Sequence, residues 1–192
     1  MTDFDPIYSM VSAKAIKGLI ESNYALAGLA TCRLLQRGLN DVYLVSSTSG
    51  ERYVFRLSHH RVRGPADVKS ETDFLIHVSK FGVPVATPIP TIGCELFLKV
   101  HAPEGRREGV LFQAVDGREP HAGDVGDAHA NGRTLALLYN AADTYIPNAP
   151  LYKLDLDHLL YRPLARIRSS GVIEDPSVLD ELDKIRTDRR CD

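Results

Sequence analysis

The hexapeptide Arg52-Tyr53-Val54-Phe55-Arg56-Leu57 sets the tightest limit on how this chain folds. Its aromatic and branched residues make it a strand. Alternation puts Val54 and Arg56 on one face and Phe55 and Leu57 on the other. A guanidinium keeps its proton at any ordinary pH and is costly to bury unpaired. Either the strand is an exposed edge, or Arg56 has an acidic partner. The next helix offers one. Val68, Glu71, Leu75 and Val78 recur at steps of three and four, so they share one stripe, with Glu71 as its lone carboxylate. One reading pairs Arg56 with Glu71. The other leaves Arg56 on a surface edge and Glu71 at the rim of the stripe.

The flanking segments extend the pattern. Residues 11–24 read as a helix, with Ser12 as N-cap and Ile16, Leu19 and Ile20 on one face. Residues 32–36, 42–47 and 52–57 read as three strands joined by turns, an antiparallel meander. Residues 64–82 form a helix, with Pro65 in its first turn and Gly82 as C-terminal cap. A proline-rich extended stretch, 83–91, leads to strands at 95–100 and 108–115, the latter closed by Asp116-Gly117. Beyond Gly117 only helices follow. The first places Leu135, Leu138 and Ala142 on one stripe. The second restarts at Pro163. The last is capped by Asp175, opened by Pro176 and aligned through Val178, Leu182 and Ile185. A sheet-bearing part followed by helices predicts an α+β fold, divided into residues 1–116 and 117–192.

Composition narrows the class. A chain of 192 residues holds one domain or two small ones. A net charge of −2, mixed along the chain, argues against a nucleic-acid binder built on phosphate contacts. Cys32, Cys94 and Cys191 lie far apart with no metal or disulfide spacing, which suits a reducing cytosol. No run of about 20 apolar residues predicts a membrane span. The first residues lack the basic start and apolar stretch of a signal peptide. A cytoplasmic protein is expected.

The ordered set resembles the N-terminal lobe of the aminoglycoside phosphotransferase and choline kinase-like family, small-molecule kinases with a protein-kinase-like fold. The set comprises a strand, the Gly38 turn, a strand, "YVFRL", a helix bearing Glu71, then "FGVPVATPIP" and "VLFQAVDG". The resemblance continues through "GRTLALLYNAAD" and "LDLDHLLYRPLARI", the start of the C-terminal lobe. It implies an antiparallel sheet with one packed helix, then an incomplete helical lobe. It also implies ATP and Mg²⁺ as cofactors. Arg56 would stand where the family holds the α- and β-phosphates with a lysine or arginine, oriented by Glu71. The turn with Gly38 and Asn40 would cover the phosphates, although one glycine lets fewer amides approach them; a plain hairpin turn also explains it. Val54 would lie over the adenine ring, or simply in the core. The Gln113 carbonyl and Val115 amide would face the adenine edge, or simply end a strand.

The resemblance also defines what these residues lack. The family's catalytic loop reads His-Gly-Asp-x-x-x-x-Asn, its Asp serving as base and its Asn as a metal ligand, with a metal-binding Asp later. Neither motif occurs here. In "HAGDVGDAHAN", Asp124 and Asp127 stand seven and four residues before Asn131, where the loop needs five. That segment reads as a helix cap and polar face. Tyr139 stands where the family usually has histidine, and His59-His60 read as a solvated loop. No catalytic residue and no metal ligand is assigned.

Two functions remain open. The first is an ATP-dependent phosphotransferase of small hydroxylated molecules in a truncated, catalytically incomplete form. The second is a non-catalytic remnant that binds a nucleotide or a protein. On either reading ATP affinity is expected to be weak or undetectable, with no turnover. Leu138, Leu156, Leu160, Leu164 and Ile167 are expected to leave an uncovered apolar surface through which the chain self-associates.

Overall fold

The computed structural model describes residues 8–59, 64–148, 153–173 and 175–187. Packing divides the chain into two units, Met1–Leu151 and Tyr152–Asp192. The expected division at 116/117 followed the loss of strands. The packing boundary falls later, because the helix after Gly117 packs on an earlier helix of the first unit.

The first unit is built on five strands: β1 (Leu29–Arg37), β2 (Asn40–Ser47), β3 (Arg52–Ser58), β4 (Leu98–Ala102) and β5 (Gly105–Gln113). Their order is β1-β2-β3-β5-β4, and each neighbouring pair is antiparallel. The first three form the expected meander. β5 runs two residues short of its expected end, since the Ala114 amide makes a last bond to the Arg52 carbonyl and no ladder continues past it.

Helices cover both faces of the sheet. α1 (Ala13–Asn23) starts at Ser12, whose hydroxyl accepts from the Ala15 amide. It buries Ile16 and Ile20 against Tyr43, Val45, Phe55, Leu57 and Leu111. Each such side chain contributes roughly 1.5–3 kcal/mol by leaving water. α2 (Pro65–Lys80) sets Val68 and Leu75 against Val110 and Phe112 on the other face. The fold therefore has a packed helix on each face, where one was expected. β5 is buried continuously from Arg107 to Phe112 for this reason, and its period-two pattern is hidden. Gly82, at φ +77°, takes the left-handed turn that ends α2.

α3 (Val125–Ala142) is capped by Asp124, whose carboxylate accepts from the Gly126 and Asp127 amides. The expected stripe of Leu135, Leu138 and Ala142 is corrected: Leu138 and Ala141 make the contact, with Val78 and Val83, while Leu135 is exposed. The second unit holds a π-helical turn, Asp157–Tyr161, running into α4 (Arg162–Ser170), and then α5 (Pro176–Thr187). Pro163 is the second residue of α4, just after the π-helical turn. Among the residues expected to be uncovered, Leu156 and Ile167 are exposed, Leu138 and Leu160 are half-buried, and Leu164 is buried. Among the described residues no helix is long and apolar enough to cross a membrane.

Candidate functional site

Arg56 and Glu71 meet in a two-pronged ion pair. Arg56 Nη1 donates to Glu71 Oε1 at 2.8 Å and Nη2 to Oε2 at 2.6 Å. β3 alternation sends Arg56 to the α2 face, and the helical step from Val68 sends Glu71 to the sheet. The two side chains retain 21% and 26% of their exposure, so the pair is partly buried. The Phe112 ring lies 5.1 Å from the guanidinium carbon, adding a cation–π contact. Fixing both prongs leaves the guanidinium one orientation, which a lone ammonium would not have.

The pair borders an open cleft of roughly 400 Å³. Val42, Val54, Leu75, Val85, Ala86 and Phe112 supply its apolar lining, together with Gln113 and Val115. Three strands, one helix and the stretch after it thus converge here. The Gln113 amide bonds to the Thr87 carbonyl at 3.0 Å, which ties the proline-rich stretch along β5. Arg52, at the head of β3, pairs with Asp116 just beyond β5. The cleft suits a flat apolar group flanked by a fixed cation.

The structure brings Val54, Arg56, Glu71, Gln113 and Val115 to this one cleft. Gly38, in the β1–β2 turn, and Asn40, the first residue of β2, are not among its lining residues. The Gly38 amide donates to the Asn40 carbonyl at 3.1 Å, and a Cβ at Gly38 would meet nothing within 4 Å. The backbone there is thus not forced to be glycine by packing. Val42, Leu75, Val85, Ala86 and Phe112 were not foreseen as cleft residues. Val42 was legible, because it stands directly across from Arg56.

A second ionic cluster lies on the α1 face. Arg107 is fully buried and donates to Asp41 Oδ2 at 2.7 Å, to the Ser58 carbonyl at 2.7 Å and to the Ser9 carbonyl at 3.0 Å. Glu104 Oε1 stands 3.6 Å from it. Burial alone would raise the Glu104 carboxyl. Hydrogen bonds from the Ser9 hydroxyl and from nearby amides, together with the Arg107 charge, outweigh burial and hold it below its ordinary value. Burial also pushes the neighbouring Tyr43 hydroxyl up to about 12, the Asp41 carboxylate adding to the effect. Sequence reasoning missed this cluster. The signal was the even spacing of Asp41 from Tyr43 and Val45, which faces all three to the same core. His59, expected in a solvated loop, packs against Tyr8 with ring centres 4.1 Å apart and planes tilted by 40°. His60 lies outside the described residues.

Among the described residues, no three His, Cys, Asp or Glu side chains gather as metal ligands would. Asp124 and Asp127 act as helix-terminal groups: Asp127 takes two prongs from Arg118, both at 2.7 Å. That hydrogen-bonded cation holds its carboxyl below the usual range.

No protein-family model matches the chain. It is 37% identical over 166 residues to an uncharacterized protein of Deinococcus radiodurans, covering 86% of this chain and 47% of that protein. It is 32% identical over 159 residues to the uncharacterized protein sll1119 of Synechocystis, covering 82% and 44%. The chain therefore spans a little under half the length of these curated relatives. A microcompartment-associated aminopropanol kinase superposes with a TM-score of 0.62 at 24% identity, over 77% of this chain and 46% of its own. An amicoumacin kinase, solved with AMP-PNP, Ca²⁺ and Ami, gives 0.64 at 16%, over 95% and 55%. An aminoglycoside phosphotransferase of Alicyclobacillus acidocaldarius gives 0.53 at 18%, over 94% and 50%. The chain has the protein-kinase-like fold of these small-molecule kinases. It spans about half of that fold, and the five-stranded sheet with its helices is a kinase-like N-terminal lobe followed by part of the helical lobe.

Proposed function

We propose that this chain is the nucleotide-binding portion of an ATP-dependent phosphotransferase that acts on small hydroxylated molecules. The observation that carries the reading is the convergence of Val54, Arg56, Glu71, Gln113 and Val115 on one apolar cleft. The adenine ring would lie between Val54 and the residues beyond α2, with its edge at the Gln113 carbonyl and Val115 amide. Arg56, oriented by Glu71, would hold phosphate oxygens, and Gly38 of the β1–β2 turn and Asn40 at the start of β2 would lie near them. These residues fit the organic part of the nucleotide and one cation on its phosphates. Mg²⁺, when bound, neutralises phosphate charge, and the described residues offer no ligand set for it.

These residues bind and orient; they supply no base. Phosphoryl transfer needs positioning and charge stabilisation shared between several groups. With the fixed cation alone, nucleotide affinity is weak and turnover absent. The test is ATP consumption by the purified 192 residues with Mg²⁺ and a panel of aminoglycosides, sugars and amino alcohols. We expect none above background. Turnover that Arg56→Ala abolishes would reveal a catalytic carboxylate within the chain and contradict this assignment.

A second reading, a non-catalytic binder of nucleotide or protein, draws on the cleft lining itself, where Glu71 is the one carboxylate among the described residues and is already paired with Arg56. Coding DNA downstream of the Asp192 codon separates the two. A frame encoding a His-Gly-Asp-x-x-x-x-Asn loop supports the phosphotransferase, and its absence supports the binder.

A further inference from the structure

We infer that Tyr8 is a positioning residue that clamps both stems of the β1–β2 turn and so holds it ready for a phosphate-bearing ligand. The ligand part of this inference rests on the nucleotide reading above. The turn is short and has a single glycine, so little in its own sequence fixes its pose. Its stems are Arg37 and Asp41, which face each other across the β1–β2 pair. Opposite charges in that register would ordinarily pair directly. Here Arg107 occupies Asp41 Oδ2 at 2.7 Å.

Tyr8, just before α1, bridges the two stems. Its hydroxyl donates to Asp41 Oδ1 and accepts from Arg37 Nε at 3.2 Å. The Arg37 guanidinium carbon stands 4.3 Å from the centre of the Tyr8 ring, and that of Arg107 stands 5.5 Å from it. The His59 ring packs against the same ring at a tilt. Burial, with the Asp41 carboxylate beside it, raises the Tyr8 hydroxyl above its ordinary value, so it remains a donor. One hydroxyl therefore joins the end of β1 to the start of β2. The clamp leaves the cleft open, because Asp41 and Leu57 pair on the α1 face while Val42 and Arg56 line the cleft.

Tyr8→Phe keeps the ring and its packing but removes the bridge, and it spares the buried Asp41–Arg107 pair whose loss would endanger folding. Amide hydrogen exchange is measured first, without ligand. The Gly38 amide, which donates to the Asn40 carbonyl, should exchange about three- to ten-fold faster, the scale of one hydrogen bond. Amides of the core, such as Phe55, should not change. Unchanged exchange in the turn, or an equal rise throughout the sheet, would overturn the clamp. Binding of ATP and of AMP is then compared between wild type and variant. ATP should weaken by a similar factor and AMP should hold, because only the longer phosphate chain reaches the turn. Equal loss for both would reduce Tyr8 to a general structural role and overturn the ligand part. If wild type binds neither nucleotide, the nucleotide reading fails, while the exchange data still judge the clamp.

Discussion

Arg56→Lys separates charge from geometry at the cleft, because it keeps the cation and loses the two-pronged fork. Glu71→Gln does the converse, leaving a partly buried guanidinium with a neutral partner. Breaking a fully buried pair costs about 3–5 kcal/mol and breaking an exposed one under about 1. At 21% and 26% exposure this pair falls between. Glu71→Gln should lower unfolding free energy by about 1–3 kcal/mol in urea titration. A loss within error would place the pair among surface contacts. Gly109→Ala tests the core on the opposite face. A Cβ there would drive into the Phe55 ring, which packs over Gly109. Overpacking of this kind costs about 1–3 kcal/mol, and Phe55→Leu should relieve part of it in the double variant. The Arg56–Glu71 pair was legible because Arg56 sits inside an apolar strand and Glu71 is the lone carboxylate of an apolar stripe. The Tyr8–Asp41–Arg107 cluster was not. Its members lie 33 and 66 residues from Asp41, and β2 begins at Asn40 rather than at the first apolar residue, Val42.

α3 shows what local pattern conveys and what it omits. Its cap at Asp124 was readable from residue chemistry, and so was the polar character of its first turns. Its packed residues were not, because only its last turns meet α2 and the helical stripe says nothing about which part finds a partner. The first turn makes a pH prediction. Arg118 holds the Asp127 carboxyl below the usual aspartate range. A depressed folded value stabilises the charged form, so this contribution is complete above about pH 4, the ordinary aspartate value. It is lost as pH falls through the lower folded value. Exchange of the His121 amide, which donates to Asp127 at 2.8 Å, should therefore quicken below about pH 4 beyond the ordinary acid trend. Arg118→Ala should move that quickening to higher pH. An identical profile in the variant would mean that the ion pair does not set the titration.

At the scale of the whole molecule, the order of elements carried more than any motif. Strand, turn, strand, turn, Arg-bearing strand and Glu-bearing helix are local patterns, and their sequence named the fold. The second sheet face was less legible. α1 reads as an amphipathic helix, but its docking on Phe55 and Leu111 depends on contacts far along the chain. Exposed Leu154, Leu156, Leu159 and Ile167 in the second unit, with Leu135 and Tyr139 on α3, are available for association. Sedimentation velocity should show a weight-average mass that rises with concentration above the 21.2 kDa monomer. A constant monomer mass would argue against self-association.

The central claim, that the cleft beside Arg56 and Glu71 takes an adenine nucleotide, is tested most directly by amide chemical-shift mapping with ATP and Mg²⁺ at millimolar concentration. The account predicts weak, saturable shifts concentrated at Val54, Arg56, Gln113 and Val115, and their loss in Arg56→Ala. No shifts at saturating nucleotide, or shifts elsewhere that ignore Arg56→Ala, would contradict it.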